Sequence, residues 1–237
     1  MECDALDAGG VPLAERRERL LVSVFCASDK DRVRKPLVDE RAVRPQVSGD
    51  STGTAGRRLH GPPTLVAVQA LVPEVVLPAL RGGFGREYHY AVETTTTQRL
   101  LPAGAAHGAV ALAERQSEGR GRLGRAWIDS GLMFSVVLEP PPPVANWPEL
   151  TLVAARAVAA AIGPDATIKH PNDVLIAGRK VAGILAEASE RVVLGVGINV
   201  GGTQWPGAGW VERDRLELLV DVLERLERGY AAWLAKG

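Results

Sequence analysis

Three arginines, a glutamine and three glycines share one short stretch, Gln116-Ser117-Glu118-Gly119-Arg120-Gly121-Arg122-Leu123-Gly124-Arg125-Ala126-Trp127. A guanidinium is a planar fork of donors that matches two oxygens of a carboxylate or phosphate. Glycine accepts positive φ and lets the backbone approach a ligand closely. A loop with both properties suits closure over an anion. Its spacing is neither the GxxxxGK[ST] phosphate loop nor the GxGxxG dinucleotide turn. A solvated basic loop has the same composition, so the weight falls on what lies downstream.

Lys169-His170-Pro171-Asn172-Asp173 sets a cation, an amide and a carboxylate around a proline. Pro-Asn-Asp is ordinary turn chemistry, but lysine is scarce in this chain (Lys30, Lys35, Lys169, Lys180, Lys236) while arginine is abundant. Lys180 then opens Lys180-Val181-Ala182-Gly183-Ile184-Leu185-Ala186-Glu187. There Gly183 interrupts a strand pattern, which marks a close approach of ligand or backbone. In Gly195-Val196-Gly197-Ile198-Asn199-Val200, alternate glycines strip one face of an apolar strand. A flat ligand or a plain packing contact would both use such a face, and Asn199 at its end could bond a phosphate or ribose oxygen.

The elements that must position these groups read as short strands and two long helices. Alternation predicts strands at 87–92, 109–115, 132–138, 167–169, 174–176, 181–188 and 192–200. Thr95–Leu101 reads as the first turns of a helix opened by threonine. Glu149–Ile162 is an alanine-rich buried helix ended by Gly163 and Pro164, and Arg213–Ala235 is a helix with Leu216, Leu219, Leu223 and Leu226 on its core face. Strands joined by tight turns cannot be parallel neighbours. The expected fold is therefore α+β: a mostly antiparallel mixed sheet with helices packed on one side.

Upstream, 13–25 could form one amphipathic helix, and 30–63 has the composition of a loop or disordered segment. A further helix over 65–80 is expected to be interrupted by Pro73 and Pro78. The division is a poorly defined segment over 1–72 and a catalytic domain over 73–237. No pair of helices with a tight turn is legible, so DNA binding is not expected. The 237 residues carry a formal net charge of zero, which removes a whole-surface electrostatic case for nucleic acid or membrane. Cys3 and Cys26 have no metal-ligand spacing and no disulfide framework, and Leu20–Ala27 is too short to span a bilayer. Those features fit a cytoplasmic protein.

In their order and spacing, GRGRLGRAW, KHPNDVL, GRKVAGILAE and GVGINV resemble the catalytic domain of biotin–protein ligases, over residues 77–237. The resemblance implies a biotin/lipoate ligase-like, class II synthetase-like fold. It also implies a two-step reaction with ATP, biotin and Mg²⁺: biotinyl-5′-adenylate forms first, and a lysine of the biotin carboxyl carrier protein of acetyl-CoA carboxylase then takes the biotinyl group. By motif, Thr95, Thr96, Thr97, Gln116, Gly119, Arg120, Gly121, Arg122, Lys180 and Gly183 are implied to bind biotin. Lys180 and Arg122 would stabilise the transition-state charge. Arg125, Trp127, Lys169, Asn172, Asp173 and Asn199 are implied to bind ATP, with Asp173 the carboxylate linked to Mg²⁺.

Departures from the family pattern accompany the match. The family's Ser-Thr-Asn element is matched to Thr95-Thr96-Thr97, which loses the asparagine; the threonine run allows a register one residue away. His170 replaces a tryptophan, the loop 128–131 is short, and the C-terminal SH3-like barrel is absent, which implies weaker ATP binding. Homodimerisation through a sheet edge stays open. Three other readings stay open as well: a lipoate or octanoate ligase of the same fold, a biotin-responsive DNA-binding repressor, and an inactive biotin-binding relative.

Overall fold

The computed structural model describes residues 69–127, 131–203 and 205–236. The expectations for a helix over 13–25, a loop over 30–63 and the two cysteines lie outside these residues, as does most of the loop 128–131. The first described helix, α1 (Pro73–Ala79), is shorter than the sequence suggested. Pro73 starts it instead of interrupting it, because the first helical position has no partner for an N–H and proline's fixed φ suits it.

Seven strands form one sheet: β1 (Tyr88–Thr94), β2 (Val110–Gln116), β3 (Leu132–Leu138), β4 (Ala166–Lys169), β5 (Asp173–Ile176), β6 (Arg179–Ala188) and β7 (Val192–Ile198). Their spatial order is β1-β2-β3-β7-β6-β5-β4. β1 and β2 are parallel and every other pair is antiparallel. The parallel pair needs a long crossover, and 95–109 supplies it, with the single-turn helix α2 (Thr97–Leu100) at its start. The sheet is thus mixed and mostly antiparallel, as expected.

One face of the sheet carries the core. Leu112, Phe134, Ile184, Leu194 and Ile198 are fully buried there, against helices α3 (Glu149–Ile162) and α4 (Arg215–Leu234). Gly163 closes α3 at φ 133°, a conformation open to glycine, and Asp214 caps α4 by accepting from Glu217 N at 2.9 Å. Leu219, Leu223 and Leu226 are buried in this core and Leu216 packs at its margin, as the helical spacing predicted. Each such side chain contributes roughly 1.5–3 kcal/mol on burial. Because strand side chains alternate, Ser135, Gly195 and Gly197 point to the other face. At one end of that face sits a small apolar cluster built from Leu101, Ala105, Ala109, Ala111 and Val137. No helix among the described residues is long and apolar enough to cross a membrane.

Candidate active site

The second face of the sheet holds two adjoining cavities. The first, about 460 Å³ of empty space counting its open mouth, begins where β1 turns into α2. Thr96 stands before the helix in extended geometry, and its hydroxyl accepts from Gln98 N at 3.4 Å. Buried Thr97 shares a 2.8 Å hydroxyl bond with Ser135 Oγ of β3, and its N–H donates to Gln116 Oε1 at 2.8 Å. Gln116 also reaches Met133 Sδ with Nε2 at 3.3 Å. The start of α2 is therefore fixed to the sheet by side-chain bonds. Gln98 lies beside this frame with its Nε2 buried and without a partner among the described residues, lining the cavity.

The Gly/Arg loop covers this cavity as a pinched ribbon. Trp127 N donates to Gly119 O at 2.8 Å and Gly121 N to Arg125 O at 2.7 Å. A Cβ on Gly119 would sit 2.5 Å from Trp127 O, so a glycine is required for the strands of the ribbon to approach. At the tip, Leu123 takes φ 59° and is 72% exposed. The loop's cations meet partners on the sheet. Arg120 Nη2 lies 3.0 Å from Glu187 of β6, and Arg122 Nη1 donates to Asn172 Oδ1 at 3.0 Å. Asn172 Nδ2 in turn donates to Ile184 O at 3.1 Å, which fixes the amide's orientation.

Beyond Arg122 the second cavity opens, about 1120 Å³ and continuous with solvent. Lys180 Nζ pairs with Asp173 Oδ1 at 2.7 Å and stands 5.4 Å above the Trp127 ring. Gly121, Arg122, Trp127, Asn172 and Lys180 line both cavities. They mark the junction, where two cations face the space that would join a ligand in one cavity to a ligand in the other. Arg125 and Lys169 line the second cavity with no ion-pair partner among the described residues. Asn199 is buried there, but its Nδ2 donates to Gly209 O at 2.7 Å. Its amide ties down the segment after β7. No cluster of three or more His, Cys, Asp or Glu suited to a metal exists among the described residues, so Asp173 stands as one carboxylate, paired with Lys180.

Most residues singled out in the sequence meet here. Thr96, Thr97, Gln116, Arg120, Gly121, Arg122, Lys180 and Gly183 line the first cavity. Arg125, Trp127, Lys169, Asn172, Asp173 and Asn199 line the second. Thr95 and Gly119 line neither: Thr95 lies one residue before the cap, and Gly119 serves the ribbon's own backbone. Thr96, Thr97 and Gln98 line the first cavity, so an amide follows the two threonines that face it. Gln98 was passed over because four consecutive threonines hide the register; its sequence signal is its place two residues after a threonine cap. Trp205 also lines the second cavity, and neither it nor Ser135 gave a signal beyond its type.

Comparisons with known proteins agree with this geometry. Residues 90–202 match the model of the Biotin/lipoate A/B protein ligase family. Over 196 residues the chain is 36% identical to the biotin--[acetyl-CoA-carboxylase] ligase of Mycobacterium tuberculosis, covering 76% of this chain and 61% of that protein. Over 128 residues it is 38% identical to the bifunctional ligase/repressor BirA of Bacillus subtilis, covering 48% of this chain and 39% of that one. The chain thus spans only about two to three fifths of these curated relatives. The biotin protein ligase of Aquifex aeolicus, solved with biotin and ATP, superposes with a TM-score of 0.58 at 32% identity, over 64% of this chain and 73% of that one. The chain belongs to the biotin/lipoate A/B protein ligase family. Its folded domain is of the biotin protein ligase kind.

Proposed function

We propose that this domain joins biotin to ATP as biotinyl-5′-adenylate and passes the biotinyl group to a lysine of the biotin carboxyl carrier protein of acetyl-CoA carboxylase. The observation that carries the reading is the junction: Arg122 and Lys180 stand where a cavity with a polar, amide-lined end meets a larger, cation-lined one. Biotin would occupy the first cavity, its ureido ring bonded by Thr96, Thr97 and the buried Nε2 of Gln98. ATP would occupy the second, its base against Trp127 and its phosphates toward Arg125 and Lys169.

A biotin carboxylate oxygen then attacks the α-phosphorus. The bond from that phosphorus to the bridging oxygen breaks, and pyrophosphate leaves. The site supplies no nucleophile of its own. Arg122 and Lys180 hold two anions together and neutralise charge that grows on the phosphoryl oxygens, so catalysis is positioning and electrostatics. In the second step the acceptor amine attacks the biotinyl carbonyl carbon and AMP leaves. A Mg²⁺ needs only one or two carboxylates when phosphate oxygens and water complete its shell. Asp173 fits that role and would hold the ion, which would neutralise phosphate charge.

The test is biotin-dependent exchange of pyrophosphate into ATP, run in parallel with lipoate and octanoate. Exchange with biotin alone is expected, and Lys180→Ala should lower its rate by about 10²–10³-fold, the scale of one lost transition-state contact. Exchange with lipoate alone would reassign the acid. Folded protein with no exchange would make the domain a binding relative without ligase activity.

A further inference from the structure

One indole, Trp127, lies at the junction of the two cavities, and the sheet beneath it has been cleared of side chains. Gly183 of β6 and Gly197 of β7 are direct cross-strand partners, on the face away from the core. A Cβ on Gly197 would come within 2.5 Å of Trp127 Cζ2 and 2.7 Å of its Nε1. One on Gly183 would meet Trp127 Cζ3 at 2.9 Å and Lys180 Nζ at 3.0 Å. Real Cβ atoms do not approach rigid rings so closely, so either methyl would lift the indole off the sheet. Neither glycine has a positive φ, and both sit inside regular strands. Backbone conformation does not call for glycine at either position; the ring above does. Gly195, two residues along the same strand face, is covered by Gln98 instead.

We propose that Gly183 and Gly197 are positioning residues. Their paired bare faces are the seat that holds Trp127 flat on the sheet at the junction of the cavities. The seat also fixes the ring directly below the Lys180 ammonium, so its depth sets where the base-stacking surface and the junction cation lie relative to each other. The inference rests on the ligase reading for its kinetic consequence, but the seat is a property of the protein without substrates.

The experiment is a double-mutant cycle between Gly197→Ala and Trp127→Phe. Gly197→Ala should raise the KM for ATP in the exchange reaction about 100-fold, the scale of a misplacement near 1 Å; because Gly197 also lines the first cavity, the KM for biotin should rise too, by less. Alanine suits a strand at least as well as glycine, so the unfolding midpoint should not fall. In the Trp127→Phe background, where the smaller ring leaves room for a methyl, the same change should raise the KM for ATP less than about threefold, a non-additivity that marks direct contact. Equal losses in both backgrounds would overturn the proposal, as would a lowered midpoint with both substrates weakened alike. Should Gly197→Ala not fold, Gly183→Ala asks the same question from the facing strand. If the unaltered chain shows no exchange, the ligase reading fails by itself. The seat is then read from the emission lost on Trp127→Phe, which should shift to the red in Gly197→Ala; no shift would overturn it.

Discussion

The two faces of the sheet are made by the same strands and follow opposite rules. On β3, Phe134 enters the helix-covered core and Ser135, its neighbour, turns to the site. On β7, Leu194, Val196 and Ile198 fill one face while Gly195 and Gly197 leave the other bare. The helix face gains stability from filled volume, and its side chains have many apolar neighbours. The site face gives up that burial so that an indole, an amide and a set of charges can be held at defined positions. Stability and function are thereby separated by the alternation of a strand instead of by distance along the chain.

That separation can be broken or sharpened by experiment. Phe134→Ala should have the largest effect, about 3–5 kcal/mol lost from an emptied core position, read as a lower denaturant midpoint with unchanged KM values in the folded fraction. A changed KM for biotin would show that the faces are coupled. Next comes Thr97→Val, which removes the buried hydroxyl bond to Ser135 and should cost about 1–3 kcal/mol. Unlike the core change, it should also weaken biotin binding by calorimetry, because it loosens the start of α2. Asp214→Ala lies outside both faces and removes only the cap of α4; about 1 kcal/mol of stability should go, with no change in exchange kinetics.

Much of this was legible in the sequence. Strand and helix positions were readable from alternation, short apolar runs and helical spacing, the apolar run of Leu132–Leu138 marking a strand buried on both faces. Lys180 and Asn172 were readable because a scarce lysine and a proline turn stand out against their surroundings. The parallel pairing of β1 with β2 was less so, since it depends on where a crossover returns, not on any residue of the strands. Pro73 reads as a breaker in the sequence but starts the helix, because proline is compatible with a helix start and incompatible only further in. The threonine run concealed Gln98, as four near-identical residues offer no register until a hydroxyl is seen to cap a helix. Glu187 could be quoted with its motif, but its pairing with Arg120 joins a loop to a strand that are far apart in sequence.

The pairing of the site's charges before any substrate arrives has a consequence for how binding responds to salt. Three arginines on a glycine loop suggest an attraction that fades steeply as ions are added. Yet Arg120 is already matched by Glu187 and Lys180 by Asp173, both within 3.0 Å. An incoming carboxylate or phosphate therefore exchanges places with an internal carboxylate at those two positions, and few counterions are set free there. Affinity should accordingly vary with ionic strength more gently than the count of cations would suggest, with Arg125 and Lys169, which have no such partner among the described residues, accounting for most of the slope.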